Sequence, residues 1–216
     1  MPRDTLIVNE IFHSIQGESS RVGLPCAFVR LTGCPLRCNW CDTEYAFTEG
    51  RPMSRTEILE RVAAFDCALV EVTGGEPLAQ PGTPQLLTDL CDAGYDVLLE
   101  TAGSHDIASL DPRVIRIVDL KCPGSGEEHN NLWSNLEHLR PDDEIKFVIA
   151  DRADYEWTQT IIRRYDLSAR CAVLVSPVFD SLAPVDLVDW VLRDRLPVRV
   201  QVQLHKIVWD PQTRAV

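Results

Sequence analysis

Phe28-Val-Arg-Leu-Thr-Gly-Cys34-Pro-Leu-Arg-Cys38-Asn-Trp-Cys41 is the stretch on which the reading of this chain turns. An apolar run of strand length, Ala27 to Leu31, hands over within three residues to cysteines spaced C-x3-C-x2-C. Three thiolates on one short loop, with no fourth ligand beside them, suit a four-iron cubane cluster that keeps one iron open to a small molecule. Structural zinc closes four ligands, usually as two separated pairs, so Cys26 or His13 would have to complete a zinc set here. A disulfide framework fits poorly with 8 cysteines in 216 residues and a chain start without a secretory apolar segment. Cys26, Cys67, Cys91, Cys122 and Cys171 stand singly among apolar residues and read as small buried hydrophobes.

Outward from the triplet, the chain is 45% hydrophobic and 25% charged, which predicts one compact domain over residues 1–216. No uninterrupted apolar stretch reaches the roughly 18 residues of a membrane span, so the expectation is a cytoplasmic protein with no membrane partner. A net charge of -12 argues against nucleic acid, whose phosphates need clustered Lys and Arg, and favours a small-molecule substrate.

Apolar runs of strand length recur at Ala27 to Leu31, Ala68 to Thr73, Tyr95 to Thr101, Val114 to Leu120, Glu144 to Ile149, Ala172 to Ser176 and Val198 to Leu204. Helix-period segments separate them. Ser54 with Glu57 makes a capping box before the apolar face Ile58, Leu59, Val62 and Ala63, and further helices fit Pro84 to Ala93, Ala153 to Tyr165 and Pro184 to Arg193. This alternation predicts an α/β fold with a mostly parallel sheet, open or closed incompletely into a (β/α) barrel. Ligands of such folds sit at the carboxyl ends of the strands. Cys34, Gly74-Gly75-Glu76-Pro77, Thr101-Ala102-Gly103 and Asp119-Leu120-Lys121 all fall there. Gly74 and Gly75 permit a tight turn or a close approach of backbone to ligand, whereas an ordinary strand-to-helix turn stiffened by Pro77 is the plainer reading.

The triplet, with Trp40 before its last cysteine and Gly-Gly-Glu-Pro after the next strand, resembles the radical S-adenosylmethionine superfamily. A second pattern narrows the resemblance to its 7-carboxy-7-deazaguanine synthase family. It comprises Glu10-Ile-Phe-His-Ser-Ile-Gln-Gly-Glu18, Gly23-Leu-Pro25, Phe28 to Cys34, Cys41-Asp-Thr43, Val72 to Pro77, Glu100-Thr-Ala-Gly103, Asp119 to Ser125, Gln203-Leu-His-Lys206 and Trp209-Asp-Pro211. The match spans nearly the whole chain. It departs from the family pattern at Ser19, where glycine is usual.

What the resemblance implies is an incomplete barrel with a substrate-binding segment at about 9–31, a cluster loop at 34–43 and a C-terminal tail at 205–216. Cys34, Cys38 and Cys41 would ligate a [4Fe-4S] cluster. S-adenosylmethionine would occupy the open iron and touch Gly75, Asp119, Leu120, Lys121 and Ser176. Ile15, Gln16 and Gly17 would line the substrate through backbone and amide groups, and Thr73 would contact it. Arg30 would pair with the substrate carboxylate, and its apolar neighbours Val29 and Leu31 place it on the opposite face of the strand from themselves. Thr43, otherwise a turn residue, would offer an oxygen to Mg2+. Glu18, His205, Lys206 and Pro211 lie near these segments, where a capped loop, a solvated pair and a tail are the plainer readings.

The reaction so implied is a radical ring contraction of 6-carboxy-5,6,7,8-tetrahydropterin to 7-carboxy-7-deazaguanine with loss of ammonia. It needs no protein nucleophile, and the partners implied are an external donor of the flavodoxin or ferredoxin type and a second copy in a homodimer. A glycyl-radical-enzyme activase is the enzymatic alternative and would consume S-adenosylmethionine. A zinc-stabilised binding module or an iron-sulfur electron carrier is the alternative from another class.

Overall fold

Strands with apolar residues on one face and helices with one apolar stripe bury both by packing helix on sheet, and this chain does so on one side only. The computed structural model describes residues 4–216. Nine strands form one sheet: β1 (Thr5–Ile15), β2 (Pro25–Leu31), β3 (Arg51–Ser54), β4 (Leu69–Gly74), β5 (Asp96–Thr101), β6 (Ile115–Asp119), β7 (Glu144–Ile149), β8 (Ala172–Pro177) and β9 (Arg199–Val200). Their order is β3-β1-β2-β4-β5-β6-β7-β8-β9. β1 pairs antiparallel with β2 and β3, and every pair from β2 to β9 is parallel. The sheet is thus an open, incomplete barrel.

The crossovers carry α1 (Arg55–Ala63), α2 (Thr83–Asp92), α3 (Arg152–Tyr165) and α4 (Pro184–Asp194), and a short α5 (His205–Val208) leads into the tail. Ser54 caps α1, its side chain accepting from Glu57 N at 3.1 Å, which bears out half of the capping box. Asp151 caps α3 in the same way, accepting from Asp154 N at 2.9 Å. Among the described residues no helix is long and apolar enough to cross a membrane.

Side chains alternate across each strand, so one face carries Val70, Val72, Val97, Leu99, Val118, Ile145, Phe147, Ile149, Val173 and Val175, all buried in the main core. The other face is divided along its length. Toward the strand starts a smaller apolar cluster of Phe12, Cys26, Phe28, Leu69, Leu98 and Ile117 closes the floor, with Phe12 and Phe28 stacked at 4.9 Å. Toward the strand ends the same face turns polar, with Arg30, Thr73, Glu100, Asp119 and Lys146. The expected strand from Val198 to Leu204 shortens to Arg199–Val200, because Leu204 N leaves the sheet to donate to Gly17 O at 2.9 Å. Of the five single cysteines four are buried, while Cys67 is partly exposed.

Candidate active site

The cluster loop leaves β2 and is clamped from two sides. Gly74, at φ 150°, approaches Leu31 so closely that a Cβ would overlap its carbonyl oxygen and stand 2.6 Å from its nitrogen. A Cβ on Gly75 would fall 2.6 Å from Gly33 C and 2.9 Å from the Cβ of Cys34. These glycines therefore let β4 close on the loop that carries the first cysteine, a nearer cause than approach to a ligand. Gly75 N donates to Leu31 O at 3.0 Å and Glu76 N to Gly33 O at 2.8 Å. Glu76 faces the protein. Its carboxylate accepts from Leu78 N, Thr101 Oγ1 and Ala102 N at 2.7–2.9 Å and ties the ends of β4 and β5 together.

The second clamp is the segment after β6. Asn39 N donates to Ser125 O at 3.0 Å, Asn39 Nδ2 to Gly124 O at 2.9 Å, and Arg37 N to Glu127 Oε1 at 2.6 Å. Held in this way, Cys34, Cys38 and Cys41 are each partly exposed and line one cleft of about 920 Å3. Burial pushes all three thiols up, Cys38 to about 11, although Lys121 acts against it at each. Thiols that hold their protons at neutral pH give them up to metal on binding. Cys26 and His13, the residues that would complete a zinc set, do not line this cleft. Among the described residues no three His, Cys, Asp or Glu side chains gather around a single ion-sized point. A four-iron cube takes one thiolate per iron, so three thiols spread over one face of the loop suit it.

Ile15, Gln16, Gly17, Arg30, Thr43, Thr73, Gly75, Asp119 and Lys121 line the same cleft, as do Glu18, His205, Lys206 and Pro211. Arg30 sits opposite Thr73 in the β2/β4 register and donates to Glu10 Oε1 at 2.7 Å, so it faces the cleft and not solvent. Leu120 does not belong to this set. It is fully buried in the main core, because alternation turns it away from the face that Asp119 and Lys121 share. Ser176 also lies off the cleft lining, 1% exposed, with its Oγ unpartnered.

The Gln16 amide is partly engaged within the protein: its Nε2 donates to Glu71 and its Oε1 accepts from Glu18 N at 2.7 Å, so the amide organises the loop between β1 and β2. That loop reaches across the open face. Ser20 N donates to Glu144 Oε2 at 3.1 Å at the start of β7. Gly17 is a contact point, since a Cβ there would overlap His205 Nδ1. Beyond it Lys206 pairs with Asp42 at 2.6 Å and Arg214 with Glu49 at 2.9 Å, which lays the tail along the cleft rim. Burial acts to raise the Asp42 carboxyl, but Lys206 and the Thr43 hydroxyl outweigh it and hold it below its ordinary range.

Residues the sequence reading passed over complete the site. Lys146 on β7, its side chain 5% exposed, reaches Glu18 at 2.7 Å, Glu100 at 2.5 Å and Asp119 at 3.8 Å. Lys121 pairs with Asp119 at 2.8 Å, and Thr73 Oγ1 donates to Glu100 Oε2 at 3.1 Å. Burial alone would push Glu100 up; the Lys146 ammonium overcomes this and holds it down. A signal for these residues was present. Strands buried between helices and a second layer read as continuous apolar runs, whereas Glu71, Glu100 and Lys146 interrupt theirs at alternate positions, marking a polar face.

Residues 28–122 match the radical SAM superfamily. An α/β half-barrel with three cysteines on the loop after its first parallel strand is the architecture of that class, which implies a [4Fe-4S] cluster, S-adenosylmethionine and a reductant. The chain is 50% identical to the 7-carboxy-7-deazaguanine synthase of Chlorobaculum tepidum over 98% of its own length and 97% of the relative's. It is 46% identical to that of Koribacter versatilis, over 97% and 99%. The crystal structure of QueE from Escherichia coli shares the fold with a TM-score of 0.76 at 23% identity, covering 93% of this chain and 95% of that one. The chain belongs to the 7-carboxy-7-deazaguanine synthase family.

Proposed function

We propose that this chain converts 6-carboxy-5,6,7,8-tetrahydropterin to 7-carboxy-7-deazaguanine with loss of ammonia, a step of queuosine and 7-deazapurine synthesis. The observation that carries the reading is the convergence of Cys34, Cys38 and Cys41 with Arg30, Thr73 and Lys121 on one cleft, in a chain 50% identical to a synthase over 98% of its length. Cluster and S-adenosylmethionine together supply the 5'-deoxyadenosyl radical that starts the reaction.

The residues then divide the work by position. Cys34, Cys38 and Cys41 hold the cluster, one thiolate per iron. Gly75, Asp119 and Lys121 hold S-adenosylmethionine at the strand ends. Asp119 Oδ1 is buried without a partner and offers an acceptor to an ammonium group, while Lys121 offers charge to a carboxylate. Ser176, with its own orphaned hydroxyl, stands two strands beyond, on β8. Arg30 takes the substrate carboxylate with its planar fork, and the backbone of Ile15, Gln16 and Gly17 lines the ring. Thr43, whose hydroxyl donates to Asp42 at 2.9 Å, would keep oxygen lone pairs for Mg2+, a hard ion that prefers oxygen ligands. The loop from β1 and the tail from α5 cover the cleft and keep water from the radical. An external flavodoxin or ferredoxin supplies the electron, the molecule works as a homodimer, and its eight free cysteines suit the reducing cytoplasm.

The test is anaerobic reconstitution followed by product analysis with the carboxytetrahydropterin, S-adenosylmethionine, Mg2+ and dithionite. Deazaguanine product with S-adenosylmethionine conserved is expected. Consumption of S-adenosylmethionine without that product would point to an activase, and one tightly bound zinc without sulfide would point to a binding module.

A further inference from the structure

Four buried or half-buried carboxylates line the cleft, and three of them have a cation. Glu18 and Glu100 share Lys146, and Asp119 takes Lys121. Glu71 has none within ion-pair reach among the described residues. It is 3% exposed and projects from β4 onto the cleft face, two residues before Thr73 and beside the apolar floor of Phe28 and Leu98, its neighbours in register on β2 and β5. One oxygen, Oε2, accepts from Gln16 Nε2, and Gln16 is itself held by Glu18 N. The acceptor is therefore fixed in place. Oε1 takes no hydrogen bond among the described residues.

A buried carboxyl without a cation is costly, and such a group is retained where something else completes it. Burial and the Glu100 carboxylate beside it push the Glu71 carboxyl well above its ordinary range. Another carboxylate, or an apolar ring edge, would make this worse. A flat edge carrying N–H donors would relieve it, because two parallel donors match the two oxygens of a carboxyl fork. The proposed substrate has one such edge, its 2-amino group beside the ring N3–H, at the end of the molecule opposite its carboxylate. With Arg30 level with Thr73, Glu71 lies about 6.6 Å further down β4, a separation on the scale of a bicyclic ring.

The geometry points to Glu71 as the specificity-determining residue that selects the amino-bearing edge of the substrate ring. This rests on the pterin reading above. Asp119, two cleft-face rows above Glu71, and Lys121 beyond it are paired with each other and serve the other ligand, so Glu71 is free to read the ring.

The experiment measures binding of two ligands by anaerobic calorimetry on the reconstituted enzyme with S-adenosylmethionine present. The ligands are the carboxytetrahydropterin and its analogue lacking the 2-amino group, each against wild type, Glu71→Gln and Glu71→Leu. Wild type is expected to prefer the amino ring by about 10- to 100-fold, the range for a buried acceptor left unpaired. In both variants the preference falls to within about 3-fold. Glu71→Gln is nearly isosteric and carries the test if the leucine variant does not fold. Equal wild-type affinity for the two rings, or an unchanged preference in a folded variant, overturns the assignment. Selective binding without deazaguanine product would instead sink the proposed reaction and leave the role of Glu71 standing.

Discussion

Two buried ion networks in this molecule each set carboxylates against cationic side chains and differ in whether they are closed. Beneath the sheet Asp143, fully buried, accepts from Arg116 N and Nε at 3.0 Å, from Arg140 N at 2.7 Å and Nη2 at 3.2 Å, and from Arg116 Nη2. The remaining guanidinium donors go to the carbonyls of Ile107, His138, Pro112 and Val114. In the cleft, Lys146 holds three carboxylates, yet Glu18 Oε1 and Asp119 Oδ1 are buried without a partner. An orphaned buried acceptor costs on the order of 1–3 kcal/mol. The first network stabilises the fold, and the second is left open where a ligand is to close it.

Breaking the closed network should have the largest effect. Asp143→Ala strands the Arg116 guanidinium, 4% exposed, and is expected to cost about 3–5 kcal/mol in urea unfolding. Its folded fraction should keep wild-type affinity for S-adenosylmethionine. A loss under 1 kcal/mol would mean the network is not closed in solution.

The open network should respond less and with a different dependence on pH. Lys146→Met leaves Glu18 and Glu100, partly reachable by water, without their cation, and about 1–3 kcal/mol is expected near neutral pH. In wild type the folded carboxyl of Glu100 titrates below its unfolded value. Its contribution is therefore present above the unfolded range and lost as pH falls through the folded one. In the variant the sign reverses for Glu100, because burial without its cation raises a carboxyl when folded, so stability is recovered as pH falls into the carboxylate range. Parallel slopes of stability against pH in the two proteins would show that Lys146 does not govern these groups.

The same contrast explains what was legible in the sequence. The parallel strands and α1 to α4 could be read because each is a local apolar run or stripe. β1 and β3 could not, since polar residues such as Asn9, Glu10 and His13 interrupt the edge pairing and no crossover helix marks it. In the site, the three cysteines were legible from spacing and Arg30 from alternation. Glu71, Glu100 and Lys146 come from three different strands, and only the register brings them to one face in successive rows. The Leu120 side chain lies in the main core, set apart by alternation from Asp119 and Lys121, which leaves its backbone for a ligand. Gly74 and Gly75 are legible as a turn with a close approach, but what they approach within the protein is Leu31, Gly33 and the Cβ of Cys34.

More exposed than either network is the Lys206–Asp42 pair at the cleft rim, with Lys206 9% and Asp42 46% exposed. A half-solvated pair contributes little, so Lys206→Ala should cost about 0.5–1 kcal/mol of stability. Its larger consequence should be a raised KM for substrate with kcat nearly unchanged, since α5 loses its tie to the cluster loop. A stability loss above about 2 kcal/mol would place this pair with the closed network.

The smallest effect should come from Ser19, where the family pattern usually has glycine. Ser19 sits at φ 53°, 1% exposed, in the loop that brings Glu18 to Lys146 and Ser20 to Glu144. A side chain in the left-handed region costs roughly 1–2 kcal/mol, offset in part because Ser19 Oγ accepts from Arg21 N at 3.1 Å. Ser19→Gly removes the strain and the hydrogen bond together, and a net change within about 0.5 kcal/mol is expected. Ser19→Ala keeps the strain and loses only the bond, so it should be less stable than the glycine variant by about 1 kcal/mol in the same unfolding series. If alanine equals glycine, the loop relaxes away from the left-handed conformation at no cost, and Glu18 is then positioned by Lys146 and Gln16 alone.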